Sequence, residues 1–247
     1  MSPALPAFPP VRPLQPFIRA IALTLSCLIA GLAGAASDDP LLATLDRIRA
    51  AYGERPAFTA LEASGRIVSH RRGEGPMSRL WQQPDRFRIE LGYPGGDEVR
   101  VMDGNIATQG GRPMGKPFLL AMRLQAARAL LPWNLTAPDA ALSYLGSQPS
   151  AAGGELDMLV LALAPPLRLV VEIERASGHI VRATGLGIGD LQFATEYSDF
   201  RALDGRLVAT REDHYAMGQH IGHSTIQSVR YTAHHSPTGT DAATTPR

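Results

Sequence analysis

Residues 86–91 read Arg-Phe-Arg-Ile-Glu-Leu, and this alternation of charged and apolar side chains decides the fold class. Successive side chains of a strand point to opposite faces, so Phe87, Ile89 and Leu91 share one face and the charged residues share the other. One face is therefore covered and the other lies in water, which is typical of an antiparallel sheet.

The chain continues as short strands beyond this segment. Residues 93–96, Tyr-Pro-Gly-Gly, end the first strand, residues 98–102 form the next one, and Asp103-Gly104 is a tight-turn signal. Further strands are predicted over residues 156–163, 168–174, 191–200, 207–215 and 220–231. The first of these five is apolar on both faces, which predicts a central position in the sheet.

An opening helix precedes the strands. It begins at Asp39, an N-cap acceptor that is followed by a proline at the first helical position, and it ends at Gly53. A short helical piece is also predicted over residues 139–145, and residues 146–154 are predicted to form a loop.

A longer helix is predicted in the middle of the chain. Pro117 can open it, it covers residues 118–131, and Pro132 stops it. At about 100° per residue, one apolar arc collects Leu119, Leu120, Leu124, Ala127, Leu130 and Leu131. Gln125 and Arg128 are predicted to lie on the opposite face.

Arg123 projects into this leucine arc and has two interpretations. Its stem packs on the leucines while its charged head bends out to water. Alternatively, it sits at the edge of a lipid pocket, where it binds a carboxylate or phosphate head group or backbone carbonyls across the rim. A dry, unpaired arginine is disfavoured, because its desolvation would cost several kcal/mol.

The order of helix, strands, central helices and more strands predicts an α+β fold. We expect one large, curved antiparallel sheet whose apolar concave face is covered by the helices. The length of 247 residues favours one domain, or at most two. We place this domain at residues 37–233, with a disordered tail over residues 234–247.

The first 36 residues have the features of a secretory signal peptide. Arg19 precedes a short apolar run over residues 20–33, and small residues follow, so we predict cleavage near Ala35 or Ala36 and a periplasmic location. Lipidation of Cys27 is the alternative, but Thr24 stands where a lipoprotein signal needs a leucine-like residue.

Composition excludes several classes of function for the mature chain. The formal net charge is +1, and removal of the leader leaves 22 basic and 23 acidic side chains, so nucleic acid is not expected as a partner. Cys27 is the only cysteine and lies in the leader, which excludes thiolate chemistry from the mature protein.

No catalytic motif is found, so we predict neither an enzyme nor a cofactor. The glycines of residues 184–189 are expected to form a flexible turn, since no helix follows them. No metal site is predicted: His214, His220 and His223, with Asp213 or Glu212, match no ligand spacing and are expected to be surface histidines.

Three carboxylates could also pair for hydrolysis, but simpler roles are favoured for them. Asp204 is expected to form a turn and Asp199 to end a strand, and Asp213 is the third of the group.

Two segments carry a family resemblance. Residues 83–88, Gln-Pro-Asp-Arg-Phe-Arg, followed by residues 99–104, Val-Arg-Val-Met-Asp-Gly, resemble the outer-membrane lipoprotein carrier (LolA/LolB-like) superfamily. The resemblance implies an unclosed β-barrel with a helical lid over a cavity for acyl chains, in a periplasmic shuttle or sensor without a cofactor. These carriers latch the lid with an arginine where this chain has Gln83, which suggests another cargo, and Arg123 could replace the latch.

These observations predict a non-enzymatic periplasmic carrier of lipid, lipoprotein acyl chains or another hydrophobic ligand, which exchanges cargo with a membrane-bound donor or acceptor. The alternative is a sensor module on the same scaffold that signals to a membrane partner. Trp133 is expected either to contact the ligand or a membrane surface, or simply to pack. The candidate ligand-binding residues are Leu80, Phe87, Ile89, Leu119, Leu120, Arg123, Leu124, Leu131, Trp133, Val160 and Val171.

Overall fold

A computed structural model describes residues 39–233, which contain two helices and thirteen strands. The helices are α1 (Pro40–Tyr52) and α2 (Lys116–Ala129). The strands are β1 (Ala60–Ser69), β2 (Gly73–Gln82), β3 (Arg86–Tyr93), β4 (Gly96–Asp103), β5 (Ile106–Gln109), β6 (Arg112–Pro113), β7 (Leu142–Pro149), β8 (Glu155–Ala162), β9 (Arg168–Glu174), β10 (Ile180–Ile188), β11 (Leu191–Leu203), β12 (Arg206–Ala216) and β13 (Gln219–Thr232). The predicted leader and tail lie outside the described residues.

The thirteen described strands form one antiparallel sheet in the order β6-β5-β4-β3-β2-β1-β13-β12-β11-β10-β9-β8-β7. Sequence neighbours pair within β1–β6 and within β7–β13, and the pairing of β1 with β13 joins these two halves of the chain. Strands β6 and β7 are the two edges, so the sheet does not close into a barrel. This confirms the predicted α+β fold with one large antiparallel sheet and covering helices.

Helix α1 begins and ends where its capping residues predict. The side chain of Asp39 accepts a hydrogen bond from the backbone N–H of Leu41 at 2.9 Å. Gly53 ends the helix with φ +81°, a conformation that favours glycine. No helix within residues 39–233 is both long and apolar enough to cross a membrane.

A buried ion cluster fixes α1 to the sheet. The Asp157 carboxylate, 1% exposed, accepts from Arg47 Nη1 at 2.7 Å, Arg175 Nη2 at 2.6 Å and the Tyr144 hydroxyl at 3.0 Å. Burial alone would raise the pKa of Asp157, but the hydrogen bonds from Arg175 and Tyr144 and the neighbouring positive charges outweigh it and lower that pKa. The polar groups of this contact are therefore satisfied.

Helix α2 crosses the concave face of the sheet and packs against β4 and β5 on one side and β9 and β10 on the other. Because strands contact the helix from two sides, they cover more of its surface than the face that carries the leucines. The prediction that Gln125 and Arg128 face away from the apolar interior was wrong, since both line a cavity beneath the helix.

Three local predictions beyond α2 were also wrong. Residues 139–145 are not helical, and residues 146–154 are not simply a loop, because β7 extends to Pro149 and pairs with β8 along its length. Strand β8 is not central either, since it lies next to the edge strand β7. Pairing with a neighbour overrides the helix propensity of this segment.

The glycine-rich residues 184–189 were expected to form a turn, but β10 runs through most of them. A Cβ at Gly187 would lie 2.4 Å from the carbonyl oxygen of Pro166, and one at Gly185 would lie 3.1 Å from Nη1 of Arg128. These glycines therefore allow close approach within a strand.

Candidate functional site

Two cavities lie on the concave side of the described sheet. The larger has a volume of about 370 Å³, and the smaller about 70 Å³. Protein ligand pockets have roughly 300–1,000 Å³, a range that includes the larger cavity. Its apolar wall includes Ile67, Met77, Ile89, Leu91, Phe193 and Ile221. The smaller cavity is lined by aromatic and aliphatic side chains that include Leu61, Trp81, Phe87, Leu131, Trp133 and Tyr231.

Three charged residues, Arg79, Arg128 and Glu212, line both cavities and form the wall between them. Arg79 Nη1 and Nη2 donate to the two carboxylate oxygens of Glu212 at 2.8 and 2.6 Å. Burial would raise the pKa of Glu212, but the charge and hydrogen bonds of Arg79 lower it. Arg79 and Glu212 are thus a bidentate pair whose charges cancel.

Arg128 reaches this wall from the last turn of α2 and, unlike Arg79, is not paired with a carboxylate among the described residues. Its Nη1 atom is buried and has no hydrogen-bond partner among the described residues. Burial lowers the pKa of Arg128, because desolvation disfavours the charged form, and the charge of Arg79 lowers it further. A guanidinium nevertheless stays protonated in proteins, so the wall holds a buried positive charge.

Tyr197 lines the smaller cavity beside Arg128, and its buried hydroxyl also lacks a partner within the described chain. Burial raises the pKa of Tyr197 well above its ordinary value, and the Glu212 carboxylate raises it further. The hydroxyl therefore keeps its proton and can donate a hydrogen bond.

His214 lines the larger cavity and is not the surface histidine that was expected. Its Nε2 lies 2.7 Å from the Ser224 hydroxyl. Burial is the main cause that lowers the pKa of His214 to about 4, with further lowering by Arg128 and Arg79, so the ring is neutral at neutral pH.

The other expected polar residues are dispersed. His220 Nε2 lies 3.1 Å from Asp213, which also pairs with Arg211. Asp204 has φ +50° in the turn between β11 and β12, and Asp199 has φ +54° within β11. Among residues 39–233, no group of three or more His, Cys, Asp or Glu side chains could hold a metal ion.

Four of the eleven candidate ligand-binding residues line the cavities: Phe87, Ile89, Leu131 and Trp133. The indole N–H of Trp133 donates to the Tyr231 hydroxyl at 3.1 Å. The other seven do not line either cavity. Leu120, Leu124 and Val171 are buried in the core, and Leu80, Leu119 and Val160 are half-buried.

Arg123 is the remaining candidate ligand-binding residue, and it makes its contacts outside the two cavities. Its Nη2 donates to the side-chain oxygen of Asn105 at 2.7 Å and to the Gly104 carbonyl at 3.4 Å. It thereby ties α2 to the turn between β4 and β5. Gln83 instead donates to the Phe58 carbonyl at 3.2 Å.

The sequence pattern did not predict the charged wall, although part of its signal is present. Arg79 alternates with Met77 and Trp81, both buried, which places it on the covered face of β2. The position of Arg128 carries no such signal, because it depends on which strands enclose α2.

Comparisons with known proteins concern the fold. No protein-family model matches the chain, and no curated protein matches it significantly. The chain is similar to a solved LolA superfamily protein from Nitrosomonas europaea, with 10% identity over 77% of this chain and 93% of that one and a TM-score of 0.48. It is also similar to a DUF1329 family protein from Desulfovibrio piger, with 13% identity, coverage of 83% and 96%, and a TM-score of 0.46.

Proposed function

We propose that this protein is a periplasmic, non-enzymatic carrier that holds a lipid, an acyl chain or another hydrophobic ligand beneath α2. The observation that carries the proposal is the larger cavity, with its volume of about 370 Å³ and a wall that combines apolar side chains with charged and polar ones. Protein interiors are packed as densely as organic crystals, and voids larger than a water molecule are few. A space of this size under a single helix is suited to an occupant.

The attachment of α2 supports exchange of that occupant. Gly115 at its N-cap offers no side-chain hydrogen bond, and Arg123 ties the helix through an exposed contact with Asn105. Such solvent-exposed contacts contribute little stability, so the polar ties of α2 oppose its movement only weakly. The predicted signal peptide of residues 1–36 supports the periplasmic location.

The direct test is to express the full chain in a Gram-negative bacterium, purify it from the periplasm and record native mass spectra. We expect a mass increment that organic extraction removes and that lipid analysis identifies as an acyl lipid. The proposal would be contradicted if the protein purified from the periplasm carried no lipid and bound neither added fatty acid nor added phospholipid.

A pair of variants locates the ligand. Gln125 lines the larger cavity, so Gln125→Trp is expected to fill part of it and to reduce the bound lipid. Gln227 is exposed on β13, so Gln227→Trp adds the same indole outside the cavity and should leave the load unchanged. Equal loads in the two variants would place the ligand elsewhere.

One observation favours the second candidate, a sensor or interaction module for a membrane partner. The edge strand β7 exposes Leu145, at 57% of its surface, beside backbone groups that no described strand pairs. A partner could add a strand there. In that case Leu145→Lys should abolish association with the partner while the lipid load stays constant.

A further inference from the structure

We propose that Arg128 and Tyr197 bind the carboxylate of an amphiphilic ligand whose acyl chain fills the larger cavity. This inference rests on the proposed carrier function and names the chemical class of its cargo. It assigns the ligand a single negative charge, held at the wall between the two cavities.

Two unsatisfied donors lie at this wall. Arg128 lines both cavities, and its buried Nη1 has no partner within residues 39–233. The Tyr197 hydroxyl, also buried and unpartnered there, lines the smaller cavity beside it. Two donors without acceptors match the two oxygens of one carboxylate.

The absence of a side chain at Gly185 accommodates this arrangement. A Cβ there would lie 3.1 Å from Arg128 Nη1 and 3.0 Å from Leu124 Cδ1, which is tighter than ordinary contact. The Nη1 end of the guanidinium therefore lies buried against the backbone of β10.

The charge of the wall favours an anion. Both oxygens of Glu212 already accept hydrogen bonds from Arg79, so this pair is neutral as a unit. His214 is neutral at neutral pH and adds no charge. The Glu212 carboxylate stabilises the charge of Arg128 without a hydrogen bond between them, and no described residue accepts a hydrogen bond from the buried Nη1 of Arg128. A buried donor without an acceptor is costly. A ligand with one negative charge supplies that acceptor.

The experiment compares dodecanoate with dodecanol, which has the same chain without the charge, as ligands of the delipidated protein at neutral pH. Charge-assisted hydrogen bonds are among the strong ones, so the wild type should bind dodecanoate at least about tenfold more tightly. Arg128→Met should abolish this preference and leave dodecanol affinity within about twofold. Tyr197→Phe should reduce the preference by a few-fold.

Two further variants serve as controls. Arg66 forms an exposed pair with Glu74, so Arg66→Met removes the same charge from the outside and should change neither affinity. Arg128→Lys keeps the charge, and it should retain part of the preference even if Arg128→Met folds poorly.

The outcomes separate the two proposals. If neither ligand binds the wild type, the carrier function itself fails. If both bind equally and Arg128→Met changes nothing, only the head-group assignment fails. Binding of phosphatidylglycerol that depends on Arg128, without such dependence for dodecanoate, would overturn the carboxylate in favour of a phosphodiester.

Discussion

Helices α1 and α2 both lie on the sheet, but the buried polar atoms beneath α1 have hydrogen-bond partners, whereas several of those around α2 do not. Beneath α1, Asp157 accepts from Arg47, Arg175 and Tyr144, and the Tyr52 hydroxyl accepts from the backbone N–H of Ile180. Around α2, buried polar atoms without a partner in the described chain accumulate. They are Arg128 Nη1, Asn134 Oδ1, Thr136 Oγ1 and Tyr197 Oη.

This difference indicates separate roles for the polar groups beneath α1 and for those around α2. Buried polar groups are nearly always hydrogen-bonded, and an unsatisfied one costs roughly 1–3 kcal/mol. A satisfied cluster such as that of Asp157 stabilises the attachment of α1. An unsatisfied set near a cavity suits a ligand that completes it, since binding sites commonly sacrifice stability for function.

The largest expected effect is at the α1 contact. Asp157→Asn removes the charge of a buried carboxylate that accepts hydrogen bonds from two arginines and a tyrosine, and it should lower the free energy of unfolding by roughly 3 kcal/mol, because these charge-assisted hydrogen bonds are weakened. Asp46→Asn is the matched control: Asp46 forms an exposed pair with Arg49, so its loss should cost about 0.5 kcal/mol or less. Urea denaturation measures both, and equal losses would show that the Asp157 cluster is not special.

The stability that Asp157 contributes beneath α1 and the stability that depends on His214 beneath α2 change over different pH ranges. Because the pKa of Asp157 is lowered, its stabilisation is present above the unfolded pKa of about 4 and is lost only as pH falls below that value. The pKa of His214, in the cavity beneath α2, is also lowered, to about 4 from 6.5. The unfolded state therefore binds this proton first, and stability falls as pH drops from about 6.5 to about 4.

For His214 the expected loss between pH 7 and pH 5 is about 2 kcal/mol. Urea denaturation at the two pH values should show it in the wild type, and His214→Gln should remove most of it. An unchanged pH dependence in that variant would mean that His214 titrates normally in the folded protein.

The third prediction is an increase in the free energy of unfolding. Arg128→Met should raise the free energy of unfolding of the ligand-free protein by about 1 kcal/mol, because an unpaired buried charge is replaced by an apolar side chain. Arg79→Met should instead lower it by roughly 3 kcal/mol, since it leaves the Glu212 carboxylate buried without its partner. Thermal unfolding of the delipidated proteins measures the pair. A large destabilisation by Arg128→Met would mean that Arg128 is structural.

The smallest effect concerns the tie at the edge of α2. Arg123→Gln should lower the free energy of unfolding by only about 0.5 kcal/mol, because the contact with Asn105 is exposed. It should nevertheless speed amide hydrogen exchange in α2 more than in α1. Equal exchange in both helices would argue against a mobile α2.

The sequence predicts elements whose determinants are local. Alternation over residues 86–91 is confirmed by β3, and the capping residues Asp39 and Gly53 bound α1 as expected. These signals lie within a few residues of the element that they define. No distant partner is needed to interpret them.

What the sequence could not predict depends on distant pairing. Residues 139–145 were assigned to a helix because their composition favours one, but β8 draws them into a strand. The Arg79–Glu212 pair joins residues 133 positions apart, and it forms because β1 and β13 bring their strands together. Arg128 was assigned to the wet face because no local pattern reports that strands enclose α2 on two sides.

A crystal structure of the protein with dodecanoate would show whether the cavity beneath α2 holds an anionic amphiphile. We expect a carboxylate oxygen within about 3 Å of Arg128 Nη1, a second near the Tyr197 hydroxyl, and the chain among the apolar side chains of the larger cavity. An empty cavity, or a chain whose carboxylate points into solvent away from Arg128, would contradict the account.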